Sequence, residues 1–441
     1  MFKCRKQSEE VSLHEYLTNS NVIGSLAFGS QTHSIVWQFL TVLESSFSKG
    51  LDDVGFRHLE EEAWGDAKRG ARWGGGNSRK STKEKLLLAK RSRSVGTLPP
   101  VFPNGWFSLL DSKELLPGEV KQVSALGENF AVFREKNGGQ VHVLDAYCPH
   151  LGANMAAGGA VRGDCLECPF HGWRFRGSDG KCAAVPYSSK VPDFARVKCW
   201  PSCEVNNIVF VWYHAEDEEP SWKPSSIPEV EKGAWSRRGY SRFHVNCHIQ
   251  EIPENGADVA HLNAVHAPLL TSGNDLRTNG GSKFASHVWF ASWSANQEEG
   301  LKHTAMMNLR HELRLFNKFL LMGNDVKAHQ IGPGYVVLDI ETMFGKLVIL
   351  QTVTPVEPML QRVVHRMYAP RFVLQPFASF VFLGETIMFE RDVMVWNHKA
   401  YLDKPTLVSE DRAITRYRRW YSQFYSEKSP RLTYQKERSL E

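Results

Sequence analysis

The sequence predicts an α+β fold in two parts, a small all-β domain followed by a larger domain in which helices flank an antiparallel sheet. Three observations carry this expectation. Short strand-like runs separated by turns begin after Leu98 and recur at 130–134, 141–147, 167–175 and 208–214. An acidic stretch with prolines, Glu216, Asp217, Glu218, Glu219 and Pro220 followed by Pro224 and Pro228, then breaks the pattern. Beyond it lie longer β-runs at 336–340, 347–353, 362–368 and 380–383, mixed with helical segments.

Each element has a local reason. Pro99, Pro100 and Pro103 lead into Trp106, where the small domain starts. Asn137-Gly138-Gly139 and Ser178-Asp179-Gly180 supply the turn chemistry that short strands need. One helix is expected across 258–266, and another after Ser409 puts Ile414, Tyr417, Tyr421 and Phe424 on one face. The expected division is a poorly ordered region 1–97, a small β-domain 98–215 and a catalytic domain 216–441.

Much of the net charge of +5 lies between Lys68 and Arg93, among Gly and Ser. Nucleic-acid binding asks for basic groups on a folded platform with stacking aromatics, and only Trp73 is present, so a solvated linker is expected instead. A short helix is expected at 83–91 within it. The stretch 22–43 lacks Asp, Glu, Lys and Arg and is long enough to cross a bilayer. Its many polar residues point to a membrane-associated segment rather than a span. Eight cysteines in 441 residues, with no secretory signal at Met1, argue against a disulfide scaffold and for a reducing compartment with cysteines on metal.

Cys148-Pro149-His150 and Cys168-Pro169-Phe170-His171 form the first constellation. Two loops, each giving one Cys and one His, suit a Rieske 2Fe–2S centre, in which two thiolates hold one iron and two imidazoles the other. A zinc finger would keep its cysteines together and its histidines together. Cys165 and Cys182 read as small buried hydrophobes.

The second constellation is Asp258, His261 and His266. Oxygen activation by non-haem iron asks for two His and one carboxylate on one face. The two histidines are five apart, an awkward phase on a regular helix, so a distorted or π-like turn is expected. Asp392 is the expected third metal ligand, at an acidic tip leading into an apolar helix, with Glu390 as competitor. Asp258, one turn before His261, is expected to accept a hydrogen bond from a ligand imidazole.

Together these segments resemble the Rieske oxygenases, and more narrowly the animal cholesterol 7-desaturases of the Neverland type. The motifs that carry the resemblance begin at Cys148, Cys168 and Glu254, with His329-Gln-Ile-Gly-Pro-Gly334 and Gln351-Thr-Val-Thr-Pro-Val-Glu-Pro358 specific to the desaturases. Respiratory Rieske domains carry an extra bridged cysteine in each loop; Ala153 and Phe170 stand at those places here. The resemblance implies a helix-grip, START-like catalytic domain. It implies a 2Fe–2S cluster on Cys148, His150, Cys168 and His171 and mononuclear iron on His261, His266 and Asp392. It also implies conversion of cholesterol to 7-dehydrocholesterol with O2 and NAD(P)H-derived electrons from a separate reductase.

A homotrimer follows from the same resemblance, with Asp258 linking His171 of one chain to His261 of the next. So does an endoplasmic-reticulum membrane location, or a cytoplasmic one if 22–43 does not insert. Met306, Met307, Phe316, Phe319 and Phe382 are candidates to line an apolar pocket. The rival readings are a Rieske steroid or aromatic-ring hydroxylase and, from another class, a ferredoxin or a sterol-binding protein without catalysis.

Overall fold

The computed structural model describes residues 98–277, 284–316 and 318–432. The segments expected at 22–43 and 83–91 and the basic linker lie outside them. Before Pro228 the described chain forms β1 (Gly105–Asp111), β2 (Val120–Ala125), β3 (Glu128–Arg134), β4 (Val141–Asp145), β5 (Ala160–Arg162), β6 (Cys165–Glu167), β7 (Arg174–Arg176), β8 (Cys182–Ala184), β9 (Cys199–Trp200), β10 (Ser202–Val205) and β11 (Ile208–Tyr213). They make three small sheets, ordered β1-β11-β10, β2-β3-β4-β9 and β5-β6-β7-β8.

After the short helix α1 (Pro228–Glu231) comes β12 (Trp235–Val245), then helices α2 (Glu251–Glu254) and α3 (Val259–Val265). Strands β13 (Ala285–Ala295), β14 (Thr304–Leu315), β15 (Phe319–Ile331), β16 (Tyr335–Thr342), β17 (Gly345–Glu357) and β18 (Leu360–Pro370) follow. Helices α4 (Gln375–His398) and α5 (Arg412–Tyr421) close the described chain. Strands β12 to β18 join one antiparallel sheet, ordered β12-β18-β17-β16-β15-β14-β13. This α+β arrangement, with α2 and α3 inserted after β12 and α4 and α5 after β18, matches the expected class.

Two expected strands need correction. The run 380–383 is not a strand. It lies inside α4, which begins with proline in its first turn and buries Phe382 in a cluster with Ile340, Leu347, Ile349 and Met367 of the sheet. A run of four apolar residues does not by itself distinguish a strand from a buried helix. Residues 167–175 are not one strand either, because β6 and β7 are separated by a loop. Corrections that concern α3 and α4 are given with the site.

The expected boundary at 215/216 falls between β11, which ends at Tyr213, and α1. The strands before it are stitched to the large sheet. Phe107, Val209 and Val211 share one buried cluster with Phe243, Val353 and Val363. Thr354 Oγ1 donates to the Ser108 carbonyl at 2.8 Å, and buried Asp111 accepts from Arg366 Nε at 2.5 Å. The motif 329–334 has a structural job as well. Gln330 Nε2 donates to the Pro253 carbonyl at 2.7 Å, and Tyr421 Oη donates to the Pro333 carbonyl at 3.1 Å. The first bond holds the chain that leads into α3 against the sheet, and the second holds the turn between β15 and β16 against α5. Among the described residues, no helix is long and apolar enough to cross a membrane.

Candidate metal centres

The two Cys–His loops have the same local build. Gly152 N donates to the Cys148 carbonyl at 2.9 Å, and Gly172 N to the Cys168 carbonyl at 3.0 Å. Both glycines take positive φ, 73° and 71°, which L-residues rarely adopt. Cys148 and Cys168 are buried, and the His150 and His171 rings lie 4.7 Å apart between centroids. All four expected cluster residues therefore converge. Trp173 stacks on His150 at 4.6 Å and 8°, and its indole N–H donates to Tyr187 Oη at 2.8 Å.

The donor set tests well against a 2Fe–2S cluster. Burial, opposed in part by backbone N–H groups and reinforced by Cys168, pushes the Cys148 thiol up to about 11. A bound cation would hold such a pair as thiolates. Cys165, also pushed up to about 11 by burial and by Asp164, reads as a buried hydrophobe, as does Cys182.

The second centre is built by two helices. Asp258 caps α3, its Oδ1 accepting from the His261 backbone N–H at 3.2 Å. The His261 ring Nδ1 meets the Asp258 backbone carbonyl instead of its carboxylate, which corrects the expected imidazole–carboxylate bond. No π-turn is needed for the five-residue spacing. The helix stops at Val265, and His266 stands at its C-terminal cap with φ −105° and ψ 2°, turning its ring back toward His261.

Asp392 lies well inside α4, not at an acidic tip. Its Oδ1 is 3.2 Å from His266 Nε2. One ligand atom from each of His261, His266 and Asp392 lies within 4.8 Å of the others. Glu390, two residues away on the same helix, instead accepts from the Asn274 side chain. Two imidazoles and one carboxylate, mostly buried, are the donor set of a non-haem iron site. His266 Nε2 faces Asp392, and its Nδ1 is buried without a hydrogen-bond partner among the described residues.

Sequence reasoning missed Arg391. Its fully buried guanidinium donates to the carbonyls of Gly273, Pro268 and Leu269 at 2.8–3.0 Å. It thereby ties the loop after His266 to the helix that carries Asp392. Burial lowers its pKa, and the Asp392 charge opposes that. An arginine set between Glu390 and Asp392 in a largely apolar helix was the available signal. A second pin is Arg418, which pairs with Glu254 at 2.7 Å and fixes α2 to α5.

Of the candidate pocket residues, Met307 and Phe382 are core, whereas Phe316 and Phe319 are exposed. Met306 lines a separate open cavity of about 610 Å³ with His329 and Asp339.

Residues 105–201 match the Rieske [2Fe-2S] domain family, and residues 211–425 match the 3-ketosteroid 9alpha-hydroxylase C-terminal domain family. The chain is 50% identical over 354 residues to a cholesterol 7-desaturase of Xenopus laevis, covering 79% of this chain and 78% of that one. It is 44% identical to a cholesterol 7-desaturase of Ciona intestinalis, covering 97% and 88%. The fold is similar to that of dicamba monooxygenase bound to dicamba, with TM-score 0.52 and 16% identity over 75% of this chain and 98% of that one. On this sequence identity across most of both chains, the chain belongs to the cholesterol 7-desaturase family of Rieske oxygenases.

Proposed function

We propose that the protein is a cholesterol 7-desaturase that uses O2 and NAD(P)H-derived electrons from a separate reductase. The observation that carries this is the convergence of His261, His266 and Asp392 in a chain that also bears the two Cys–His loops. An electron carrier alone has no use for that second centre.

Cys148, His150, Cys168 and His171 would hold the cluster, and His261, His266 and Asp392 the mononuclear iron. When bound, the cluster supplies electrons singly and the iron supplies the O2 activation needed to take hydrogen from an unactivated sterol carbon. In the net reaction cholesterol loses two hydrogens, and O2 with two electrons and two protons leaves as two waters. The chain's own residues orient this chemistry. His261 Nδ1–H donates to the Asp258 carbonyl, which leaves Nε2 as its metal-binding nitrogen. The Asp258 carboxylate holds the start of α3, so it acts as a positioning residue. Arg391 fixes the distance between the two ligand-bearing segments. A homotrimer in which Asp258 of one chain approaches His171 of the next completes the proposal.

Steroid hydroxylation is the second reading, favoured by the match of residues 211–425 to the ketosteroid hydroxylase domain. Incubation of the iron-loaded enzyme with a reductase, NAD(P)H and cholesterol separates them. The expected product is 7-dehydrocholesterol; a hydroxysterol without it overturns the desaturase assignment.

A further inference from the structure

The large sheet has an unusual end. The last pair between β15 and β16 is Asp325↔Glu341, yet β15 goes on pairing with β14 as far as Leu315↔Phe319. The stretch 319–323 therefore extends about 17 Å past Thr342, the end of β16, at about 3.4 Å per residue. Its tip is apolar and exposed: Phe319, Leu320 and Leu321 show 67%, 55% and 62% of their surface. Phe319 and Leu320 are consecutive paired residues and point to opposite faces, while Leu321 falls in the bulge opposite Leu313 and Arg314, so both faces of the hairpin present large apolar side chains. A strand with one face toward water would alternate instead.

Two more tips leave the sheet at the same end. The β16–β17 turn exposes Met343 at 79%, and the segment after β18 exposes Phe372 at 71%. These two are neighbours, because a Cβ on Gly345 would stand 3.1 Å from the Phe372 ring. Lys318, Lys346 and Arg371 are exposed beside the tips, with Lys346 reaching back to Asp339 at 3.1 Å. The acidic Asp325 and Glu341 sit farther back on the strands.

We propose that this end of the sheet is a docking rim that seats the catalytic domain on a phospholipid membrane surface. Apolar tips on both faces of a projecting hairpin suit immersion in the acyl boundary, whereas a protein laid against one face would cover only half of them. The adjacent cations suit anionic headgroups. Docking by this rim does not depend on the desaturase reading. Given that reading, the rim brings the enzyme to the phase in which a sterol substrate resides.

Hydrogen–deuterium exchange on the full-length, iron-loaded protein tests this with vesicles of phosphatidylcholine and phosphatidylserine that contain no cholesterol. The expected result is a slowing of about fivefold or more at 318–321, 343–345 and 371–374, with the cluster loops unchanged. The combined variant Phe319→Ser, Leu321→Ser and Phe372→Ser should keep the cluster absorption and lose the slowing. Unchanged exchange at these tips in the wild type overturns the proposal. So does slowing that rises with protein concentration without vesicles, which would mean that a second copy covers the rim. Because no sterol is present, failure of the desaturase reading would leave this result untouched.

Discussion

His266 Nε2 and Asp392 Oδ1 lie 3.2 Å apart although one caps α3 and the other sits inside α4. Two helices far apart in the chain thus meet at one pair of ligand atoms. Arg391, next to Asp392, bonds the carbonyls of the loop that follows His266 and makes the meeting reproducible.

Asp392→Ala should remove iron from the catalytic centre and lower turnover by at least about 100-fold, with the visible absorption of the cluster intact. Glu390→Ala should retain iron, because Glu390 engages Asn274 on another side of α4. Metal analysis and absorption spectra check both. Iron kept in Asp392→Ala and lost in Glu390→Ala would reverse the assignment.

Arg391→Met should destabilise the fold by about 3 kcal/mol, since it leaves several buried carbonyls without donors. Iron occupancy should fall with it, while the cluster spectrum stays. Chemical denaturation with parallel iron analysis decides, and a wild-type midpoint in the variant would refute the clamp.

Stability should fall on mild acidification because of His287 and His311. Nδ1 of His287 and Nε2 of His311 are 2.7 Å apart and buried. Burial, with His311 adding to it, lowers His287 from 6.5 to about 3, and burial lowers His311 from 6.5 to about 4. Well above pH 6.5 both are neutral in folded and unfolded chains, so they carry no pH dependence there. Below it the unfolded chain takes up protons that the folded chain refuses, and stability is lost down to about pH 3 to 4. His287→Phe should flatten the melting temperature between pH 6.5 and about 4.5 relative to wild type; an unchanged slope would argue against this pair as the cause.

At the cluster, Gly172→Val should lose far more cluster than Gly152→Ala. Both positions have positive φ, but a Cβ at 172 would also stand 2.9 Å from Pro186 Cγ, whereas nothing lies within 4 Å at 152. Cys165→Ser should keep the cluster and Cys148→Ser should not. Cluster absorption per mole of protein ranks the four variants.

The ligands that lie close together in the chain were legible in the sequence. Cys148 with His150, Cys168 with His171, and His261 with His266 are local pairs, and turn or helix geometry alone brings each pair to one place. The antiparallel sheet was legible in its strongest runs, while β12 to β15 escaped because their exposed faces dilute the apolar pattern. Only the tertiary structure decided that 380–383 is helical, that Asp392 rather than Glu390 faces His266, and that Arg391 clamps the two. A helix buried on several sides has no periodic signature, and pairing across a long chain is set by packing rather than by sequence spacing. The sequence therefore determined which metals this chain can hold, and the packing of α4 on the sheet determined where the second one can sit.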